Sequence, residues 1–414
     1  MTSNDAAQTS LGHRTGPSGD ASGASEDPGT PDEERNAQAR RLAAARGATR
    51  TLNRSHAHVP LTERLSALAA AAPGFVGPEE AVDIYGNGVV AALEDEVARL
   101  LGKEAAAFFP TGTMAQQVAL RCWAGRTGNA TVALHPMAHP EVHEGGAFGA
   151  VSGLRSVHPT TEPRLPTAEE VRDFPEPFGT LMLELPLRDA GFVLPEWEEL
   201  AAVVEAARER DAVVHFDGAR LWECPTHFGR PLTEIAGLAD TVYVSFYKSL
   251  EGLSGAALAG PRTLVEEAKV WRHRYGGQLF QQFPAAVSAL VGIDRVLPRL
   301  PVYVAHARVV ADALRAGFAA AGVPWSRVHP ERPHTHQFQV WLPYGPEALS
   351  EAALGQAEET KTHLFGRWFA EGPPGLSVTE VTVTEEGLAW TADDVREAVA
   401  EFVRRLPAAG ARRG

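Results

Sequence analysis

The chain has 414 residues, long enough for a sizeable core and two lobes, because domains usually contain roughly 100–200 residues. Its 38 basic and 52 acidic residues give a net charge of −14, which argues against nucleic acid or an anionic membrane as a partner. Two cysteines, Cys122 and Cys224, provide no disulfide framework and fit a reducing compartment. No apolar run approaches the ~18 residues that span a bilayer, and no signal pattern opens the chain, so we expect a cytoplasmic protein.

The first 46 residues differ in composition from the rest of the chain. They are mostly Gly, Ser, Pro, Asp, Thr and Ala, and the first aromatic residue is Phe75. Such a segment buries too little apolar surface to offset the entropy lost on ordering. We therefore predict a disordered tail over 1–46 with a short helix near 34–45, a large domain with its N-terminal arm over 47–298, and a small domain over 299–414.

From about residue 61, strand-like runs alternate with helical ones, which is typical of a mostly parallel sheet covered by helices. The fold class predicted is therefore α/β, with a smaller α+β domain at the C-terminal end. The predicted strands are 105–109, 131–134, 180–185, 212–216, 241–246 and 255–259, then 336–342 and 378–383 in the small domain. The predicted helices are 89–101, 196–209, 262–273, 284–297 and 301–321.

Two charged residues follow apolar strands and carry the main chemical signal. Lys248 ends the run that starts at Thr241, and Asp217 ends the run Val213-Val-His-Phe. Strand ends of open α/β sheets line the ligand crevice. An amine that forms a Schiff base, together with an acid that protonates a ring nitrogen, indicates pyridoxal 5'-phosphate (PLP). The alternatives are a lysine that reaches solvent from a strand end and an aspartate that starts a turn.

A turn of small residues after the first predicted strand provides a place for a phosphate. In Pro-Thr-Gly-Thr-Met the backbone N–H groups of Gly112, Thr113 and Met114 would point at one spot at the start of a helix. The hydroxyl of Ser245 could bind the same phosphate. Both features also have a purely structural reading, as a helix cap and as a strand serine.

Three motifs resemble those of a known family. Thr111-Gly-Thr-Met-Ala-Gln, His215-Phe-Asp-Gly-Ala-Arg-Leu-Trp and Ser245-Phe-Tyr-Lys-Ser look like the cofactor motifs of the threonine aldolase and β-eliminating lyase family. This family belongs to the aspartate-aminotransferase-like (fold-type I) PLP enzymes, so the resemblance implies a PLP-dependent transferase-like large domain. The resemblance covers roughly residues 50 to 405.

The resemblance implies a role for each matching residue on the cofactor side. Lys248 would form the Schiff base with the cofactor, and Asp217 would pair with the pyridine nitrogen. Gly112 and Thr113 would hold the phosphate. His139 would stack on the cofactor ring.

On the substrate side the resemblance implies that Arg220 contacts the substrate carboxylate, for which a planar two-donor fork is suited. A structural salt bridge is the alternative for this arginine. Glu144 matches a family glutamate that lies near the substrate and can handle a proton. Tyr85, in Tyr85-Gly-Asn-Gly, resembles a loop that completes the site of a neighbouring subunit, so we expect a homodimer or homotetramer.

The segment His135-Pro-Met-Ala-His-Pro-Glu-Val-His has a second interpretation as a metal site. Its histidines, His135, His139 and His143, have the spacing of helical zinc ligands. Proline is tolerated only in the first turn of a helix, so we expect the helix to begin near Pro140 and to leave His135 outside. This favours stacking by His139 over metal binding, and no metal is predicted.

The chain departs from the family on the substrate side. The residues Glu184-Leu-Pro-Leu-Arg-Asp189 stand where threonine aldolases carry Thr-His-Asn, whose histidine helps to deprotonate the substrate hydroxyl. The strand Ser377-Val-Thr-Glu-Val-Thr lacks the arginine that the C-terminal lobe normally offers to the substrate carboxylate. The Tyr85 loop lacks the family's Asp-Pro. Cofactor binding is thus better supported than the choice of substrate.

The hypothesis from the sequence is a PLP-dependent carbon–carbon lyase that acts on a β-hydroxy-α-amino acid, giving glycine and an aldehyde. His143 or Glu144 would take the hydroxyl proton in place of the absent histidine. The alternatives are a PLP enzyme that eliminates a β-substituent or transaminates, and a PLP-binding protein without turnover.

Overall fold

The structure is a computed structural model that describes residues 31–52, 59–370 and 373–407. The chain divides into two units, Met1–Arg41 and Leu42–Gly414. Residues 1–30 of the predicted tail lie outside the described residues. Residues 31–47 form a helix, longer than the short one expected at 34–45.

Helices form mainly where the apolar residues recur every three or four positions. Within the described residues they are α1 Pro31–Gly47, α2 Leu61–Ala71, α3 Val89–Leu101, α4 Gly112–Thr127, α5 His139–His143, α6 Ala168–Arg172, α7 Trp197–Arg208, α8 Pro225–Phe228, α9 Leu232–Gly237, α10 Arg262–Arg274, α11 Phe283–Arg295, α12 Leu300–Ala320, α13 Pro346–Thr360 and α14 Ala392–Val403.

The strands of the described residues are short, and the inner strands of the large sheet are mostly apolar. They are β1 Arg50–Thr51, β2 Ala105–Phe109, β3 Thr131–Ala133, β4 Arg155–Val157, β5 Thr180–Glu184, β6 Val213–Gly218, β7 Thr241–Ser245, β8 Ala256–Gly260, β9 Arg327–His329, β10 Gln337–Leu342, β11 Thr362–His363 and β12 Ser377–Thr382.

A seven-stranded mixed sheet forms the centre of the large domain, in the order β2-β8-β7-β6-β5-β3-β4. Strand β8 is antiparallel to both of its neighbours, and the other pairs are parallel. Residues of β5 and β7 are buried throughout, as expected for strands with helices on both faces. The predicted α/β class with a mostly parallel mixed sheet is confirmed.

The predicted elements of the large domain lie within two residues of the observed ones at each end, and 89–101 and 105–109 agree at both ends. Helix α3 ends at Gly102, which adopts the left-handed conformation that glycine tolerates. Its buried stripe is Val90, Leu93, Val97 and Leu101, whereas the sequence favoured Leu100 as the last member. The elements that were not predicted are β1, β4, β9, β11, α2, α6, α8, α9, α13 and α14.

Within the unit Leu42–Gly414, the region predicted as the small domain has a core of its own beneath a three-stranded antiparallel sheet, in the order β12-β10-β9. Alternate residues of β10, such as Phe338 and Val340, are fully buried against α12 and α14. A short parallel pair of β1 with β11 joins Arg50–Thr51 to this domain. None of the helices in the described ranges is long and apolar enough to cross a membrane.

Candidate active site

Three polar side chains form a row across the C-terminal ends of neighbouring strands. The strand register pairs Glu184 of β5 with Asp217 of β6, and Asp217 with Tyr243 of β7. Each of the three is buried. Lys248 lies three residues after the end of β7, in the bend that begins at Phe246. The sheet edge therefore brings together the two residues that the sequence singled out.

Asp217 is a buried carboxylate that lacks a full set of partners. Its Oδ1 accepts a hydrogen bond from the Ala219 N–H at 3.1 Å, which is the one hydrogen bond that the side chain makes in the part of the chain that the structure describes. Burial raises the pKa of Asp217, while the charges of Lys248 and His139 oppose that rise. A protonated ring nitrogen would supply the cation that this carboxylate needs.

Lys248 has the electrostatic surroundings of a reactive amine. Burial first, and then the nearby charge of Arg220, lower its pKa to about 8, against the opposing effect of the carboxylates of Asp217 and Glu184. The free amine is the nucleophilic form of lysine. Near neutral pH, a larger fraction of Lys248 than of an exposed lysine is therefore the free amine that can form a Schiff base.

Glu184 is a second buried carboxylate in the row, and sequence analysis did not assign it a role. Its Oε2 accepts from the His139 N–H at 2.7 Å and its Oε1 from the Arg188 N–H at 3.3 Å. Burial, and next the charge of Asp217, raise its pKa to about 7. Glu184 thus fixes the backbone of two residues that border the site. The signal available in the sequence was a carboxylate at the end of an apolar strand, the same signal as for Asp217.

The predicted phosphate seat lies at the start of helix α4. The Thr111 hydroxyl caps this helix by accepting from the Met114 N–H at 3.2 Å. This corrects the predicted set of three donors, because Met114 is already engaged and Gly112 and Thr113 remain. A Cβ at Gly112 would lie 2.0 Å from the Tyr243 hydroxyl oxygen, so only glycine fits here.

Two polar side chains that follow or end neighbouring strands of the sheet have buried atoms without partners. Ser245 Oγ and Arg220 Nε have no hydrogen-bond partner among the described residues. Arg220 also forms no ion pair there, and its guanidinium lies over the Phe192 ring at 5.3 Å. The salt bridge considered for Arg220 is therefore not seen. Buried unpaired donors are costly, and an anionic ligand would satisfy them.

His139 and Glu144 lie on and just beyond the short helix α5. His139 begins this helix, close to the predicted start at Pro140. Its Nδ1 is 3.3 Å from Glu144 Oε1, and Glu144 Oε2 accepts from Gln117 Nε2 at 3.3 Å. The helix ends at His143, so Glu144 lies just outside it.

His143 belongs to a group of charged side chains that the sequence did not predict. Its Nε2 lies 2.8 Å from Asp189 Oδ2. Arg188 Nη1 donates to Asp189 Oδ1 at 2.9 Å, and Arg188 Nη2 lies 2.8 Å from Glu380 Oε1. No local pattern joins residues so far apart in the chain, so only the fold could reveal this group.

His135, the third histidine of the metal interpretation, is held by the backbone. Its Nε2 lies 2.6 Å from the Glu162 carbonyl oxygen, and its Nδ1 accepts from the Met137 N–H. Neither nitrogen points to His139 or His143 as a metal ligand would require. In the described ranges, no three His, Cys, Asp or Glu side chains form a group that could hold a metal ion.

Tyr85 lies in a loop before α3 with a positive φ of 53°. Its ring contacts Phe280 edge to face, with centroids 5.4 Å apart, and its N–H donates to the Phe280 carbonyl oxygen. Both aromatic side chains are more than half exposed in the single chain.

The fold and the Lys248–Asp217 pair define a fold-type I α/β enzyme. The family model described as beta-eliminating lyase matches residues 70–332, more than half of the chain, and the chain belongs to that family. Members of the family depend on PLP. The donors at Gly112, Thr113 and Ser245 and the buried Asp217 fit such a cofactor.

Curated relatives include low-specificity L-threonine aldolases. The Escherichia coli (strain K12) enzyme is 31% identical over 240 residues, covering 56% of this chain and 71% of the relative. Low-specificity L-threonine aldolase 1 of Arabidopsis thaliana is 29% identical over 235 residues, covering 54% of this chain and 64% of the relative. The match thus spans about two thirds of these relatives' lengths.

A solved structure from Listeria monocytogenes EGD-E, provisionally assigned as an L-allo-threonine aldolase, matches over a longer range. It superposes with a TM-score of 0.80 at 31% identity and covers 89% of this chain and 100% of that one. The similarity therefore includes the small domain as well as the large one.

Proposed function

We propose that this protein is a PLP-dependent carbon–carbon lyase that cleaves a β-hydroxy-α-amino acid to glycine and an aldehyde, or forms it in reverse. The observation that carries the proposal is the pairing of a reactive Lys248 amine with the buried Asp217 carboxylate at adjacent strand ends. Threonine aldolase activity in relatives that share this part of the chain supports it.

Each residue on the cofactor side has its own proposed role. PLP, when bound, supplies an electron sink for charge left at the substrate's Cα. Lys248 would attach it through Nζ, and Asp217 would keep a proton on the ring nitrogen. Gly112 and Thr113 would donate backbone N–H groups to the phosphate, and the unpartnered Ser245 hydroxyl would donate to the same group. His139 would stack on the ring, where Glu184 holds its backbone.

On the substrate side, Arg220 has the free donors that an amino acid's carboxylate needs. His143 or Glu144 would accept the hydroxyl proton. A cytoplasmic homodimer or homotetramer is part of the proposal, and the exposed Tyr85 would reach the site of a neighbouring subunit.

A second candidate is β-elimination, because the matching family model carries that description and the chain lacks the family's Thr-His-Asn histidine. Both candidates use the same Lys248 and Asp217. They differ only in the bond that breaks and therefore in the product.

The test joins a spectrum to a product assay. The purified protein incubated with PLP should absorb in the visible range, and Lys248→Ala should remove that absorbance while Lys361→Ala, at an exposed lysine after α13, should not. Threonine, allo-threonine and aryl-serines should then yield glycine and an aldehyde. A keto acid as the product would favour the second candidate. If no amino acid alters the absorbance, the protein would be one that binds PLP without turnover.

A further inference from the structure

We propose that Asp189 is a positioning residue that fixes the tautomer of His143, so that His143 Nδ1 is the atom that accepts the substrate's hydroxyl proton. The proposal rests on the lyase function proposed above and deepens it, because it chooses His143 over Glu144. It also assigns a purpose to the charged group around Arg188, which no family motif includes.

The contacts of His143 Nε2 decide which ring nitrogen carries the hydrogen. Nε2 lies 2.8 Å from Asp189 Oδ2 and 3.2 Å from Arg188 Nη1. A carboxylate only accepts and a guanidinium only donates, so the shorter contact requires Nε2–H to donate to Asp189. The lone pair of neutral His143 is then on Nδ1, which makes no hydrogen bond within the described residues.

Asp189 is itself held in place. Arg188 Nη1 donates to its second oxygen at 2.9 Å, and the other end of the Arg188 guanidinium lies 2.8 Å from Glu380 Oε1. All three side chains are about one-quarter exposed or less, so water screens them only in part. The chain of contacts Glu380–Arg188–Asp189–His143 thus runs from strand β12 of the small domain to helix α5.

The location of His143 suits a proton acceptor. Its ring centroid is 5.1 Å from that of His139, whose charge lowers the pKa of the buried Asp217. The backbone N–H groups of His139 and Arg188 both donate to Glu184, so one buried carboxylate fixes the start of α5 and the segment that carries Asp189.

Glu144 is less suited to this role. Its side chain is 1% exposed, and both of its oxygens are engaged, one by His139 Nδ1 and the other by Gln117 Nε2. The His143 side chain is 38% exposed, and Nδ1 is open. Geometry therefore favours Glu144 as the partner of His139 and His143 as the group that exchanges a proton.

Two of the three departures from the family pattern meet in this group. Arg188 and Asp189 stand in the segment that replaces Thr-His-Asn, and Glu380 stands in the strand that lacks an arginine. These replacements contact each other. The role of the missing histidine passes to a histidine on another element, and the new carboxylate orients it.

The proton transfer balances without a further reactant. As the Cα–Cβ bond breaks, the hydroxyl proton moves to His143 Nδ1, and the O–H bonding pair becomes the second bond of the aldehyde C=O. The Cα–Cβ pair stays with Cα, which then takes up a proton to give glycine.

The test separates proton transfer from the rest of the reaction in the PLP-loaded enzyme. Cleavage of a β-hydroxy amino acid needs the hydroxyl proton acceptor, whereas exchange of the glycine α-hydrogen for deuterium does not. Asp189→Asn and His143→Asn should each lower kcat for cleavage by about 10²-fold while glycine exchange stays at the wild-type rate. Equal losses in both assays would show a merely structural role and overturn the proposal.

A second readout does not depend on activity. Nitrogen NMR of histidine-labelled protein, with the His143 signals assigned from His143→Asn, should show the Nε2–H form in the wild type and a mixture in Asp189→Asn, because an amide both donates and accepts. A wild-type Nδ1–H form would overturn the proposal even if cleavage is found. Failure of the wild type to cleave any β-hydroxy amino acid would instead refute the lyase function, with the tautomer still decided by NMR.

Two control variants complete the design. Glu380→Gln removes the other partner of Arg188 but leaves the His143–Asp189 contact, so the Nε2–H form should persist. Glu176→Gln breaks an exposed ion pair with Arg155 and should change neither assay. A loss of cleavage in Glu144→Gln with full cleavage in His143→Asn would reverse the assignment.

Discussion

The cofactor side and the substrate side of the candidate site are built differently. Asp217 and Tyr243 lie on adjacent strands, and Lys248 follows one of them, so backbone register fixes their relation. His143 and Glu380 come from a short helix and from the small domain, and only side-chain contacts bring their group together. The cofactor side therefore tolerates few substitutions, whereas residues of the substrate side can be substituted without disturbing the sheet.

The largest effect is expected on the cofactor side, from Asp217→Asn. An amide cannot hold a proton on the ring nitrogen through a charge, so kcat should fall by roughly 10²–10³-fold, as when a preorganised electrostatic group is removed. The bound cofactor's spectrum should change as well. Wild-type kcat in this variant would show that Asp217 is structural and that the contrast between the two sides is false.

What could be predicted from the sequence also differs between the cofactor side and the substrate side. Most strands of the central sheet and the pair Lys248 and Asp217 could be predicted, because apolar runs end in charged residues at positions that a parallel sheet brings together. Helix α5 and its histidines were placed from the two prolines. The contact of Arg188 with Glu380 could not be predicted, since 192 residues separate them and neither lies in a motif.

The segment that carries Asp189 shows why the fold was needed. Small-domain histidines hold it, since His329 Nε2 lies 3.0 Å from the Ala190 carbonyl oxygen and His334 Nδ1 accepts from the Leu194 N–H at 2.9 Å. Burial lowers the pKa of His334 to about 3, so this histidine stays neutral and able to accept. Domain packing, which leaves no local pattern in the chain, places the substrate side.

The next largest effect is expected from Arg220→Lys, which lies where the two sides meet. Lysine keeps the charge but loses the two-donor fork, so KM for an amino acid should rise by about 10- to 100-fold with a smaller change in kcat. Arg230→Lys is a matched control, because Arg230 also lies over an aromatic ring, that of Trp197, at 5.4 Å. Equal KM values in wild type and Arg220→Lys would remove Arg220 from the substrate side.

A smaller effect on the cofactor side is expected from Gly112→Ala. The added Cβ would meet the Tyr243 hydroxyl oxygen at 2.0 Å, so the start of α4 must shift and the Kd for PLP should rise by about tenfold. Adding Tyr243→Phe removes that oxygen and should restore part of the affinity. Gly125→Ala in the same helix, with nothing within 4 Å, should leave the Kd unchanged. If the double variant binds no better than Gly112→Ala, the seat is not limited by this contact.

The smallest effect, a few degrees in Tm, is expected from Glu184→Gln. This variant tests the link that Glu184 makes between the cofactor side and the substrate side. Burial raises the pKa of Glu184 from 4.5 to about 7, so the stability that its proton provides is fully present below pH 4.5 and is lost as pH rises through about 7. Glutamine does not ionise. Without cofactor, the Tm of the variant relative to wild type should therefore rise between pH 5 and pH 9.

The slope with pH is the informative quantity, because glutamine also loses one of the two backbone contacts to His139 and Arg188 at every pH. That loss lowers Tm by a constant amount and leaves the slope unaffected. Glu176→Gln, at an exposed carboxylate, should follow the wild-type curve. Parallel curves of Tm against pH for Glu184→Gln and wild type would mean that Glu184 is ionised throughout this range. The segment that carries Arg188 and Asp189 would then be held by a fully charged carboxylate.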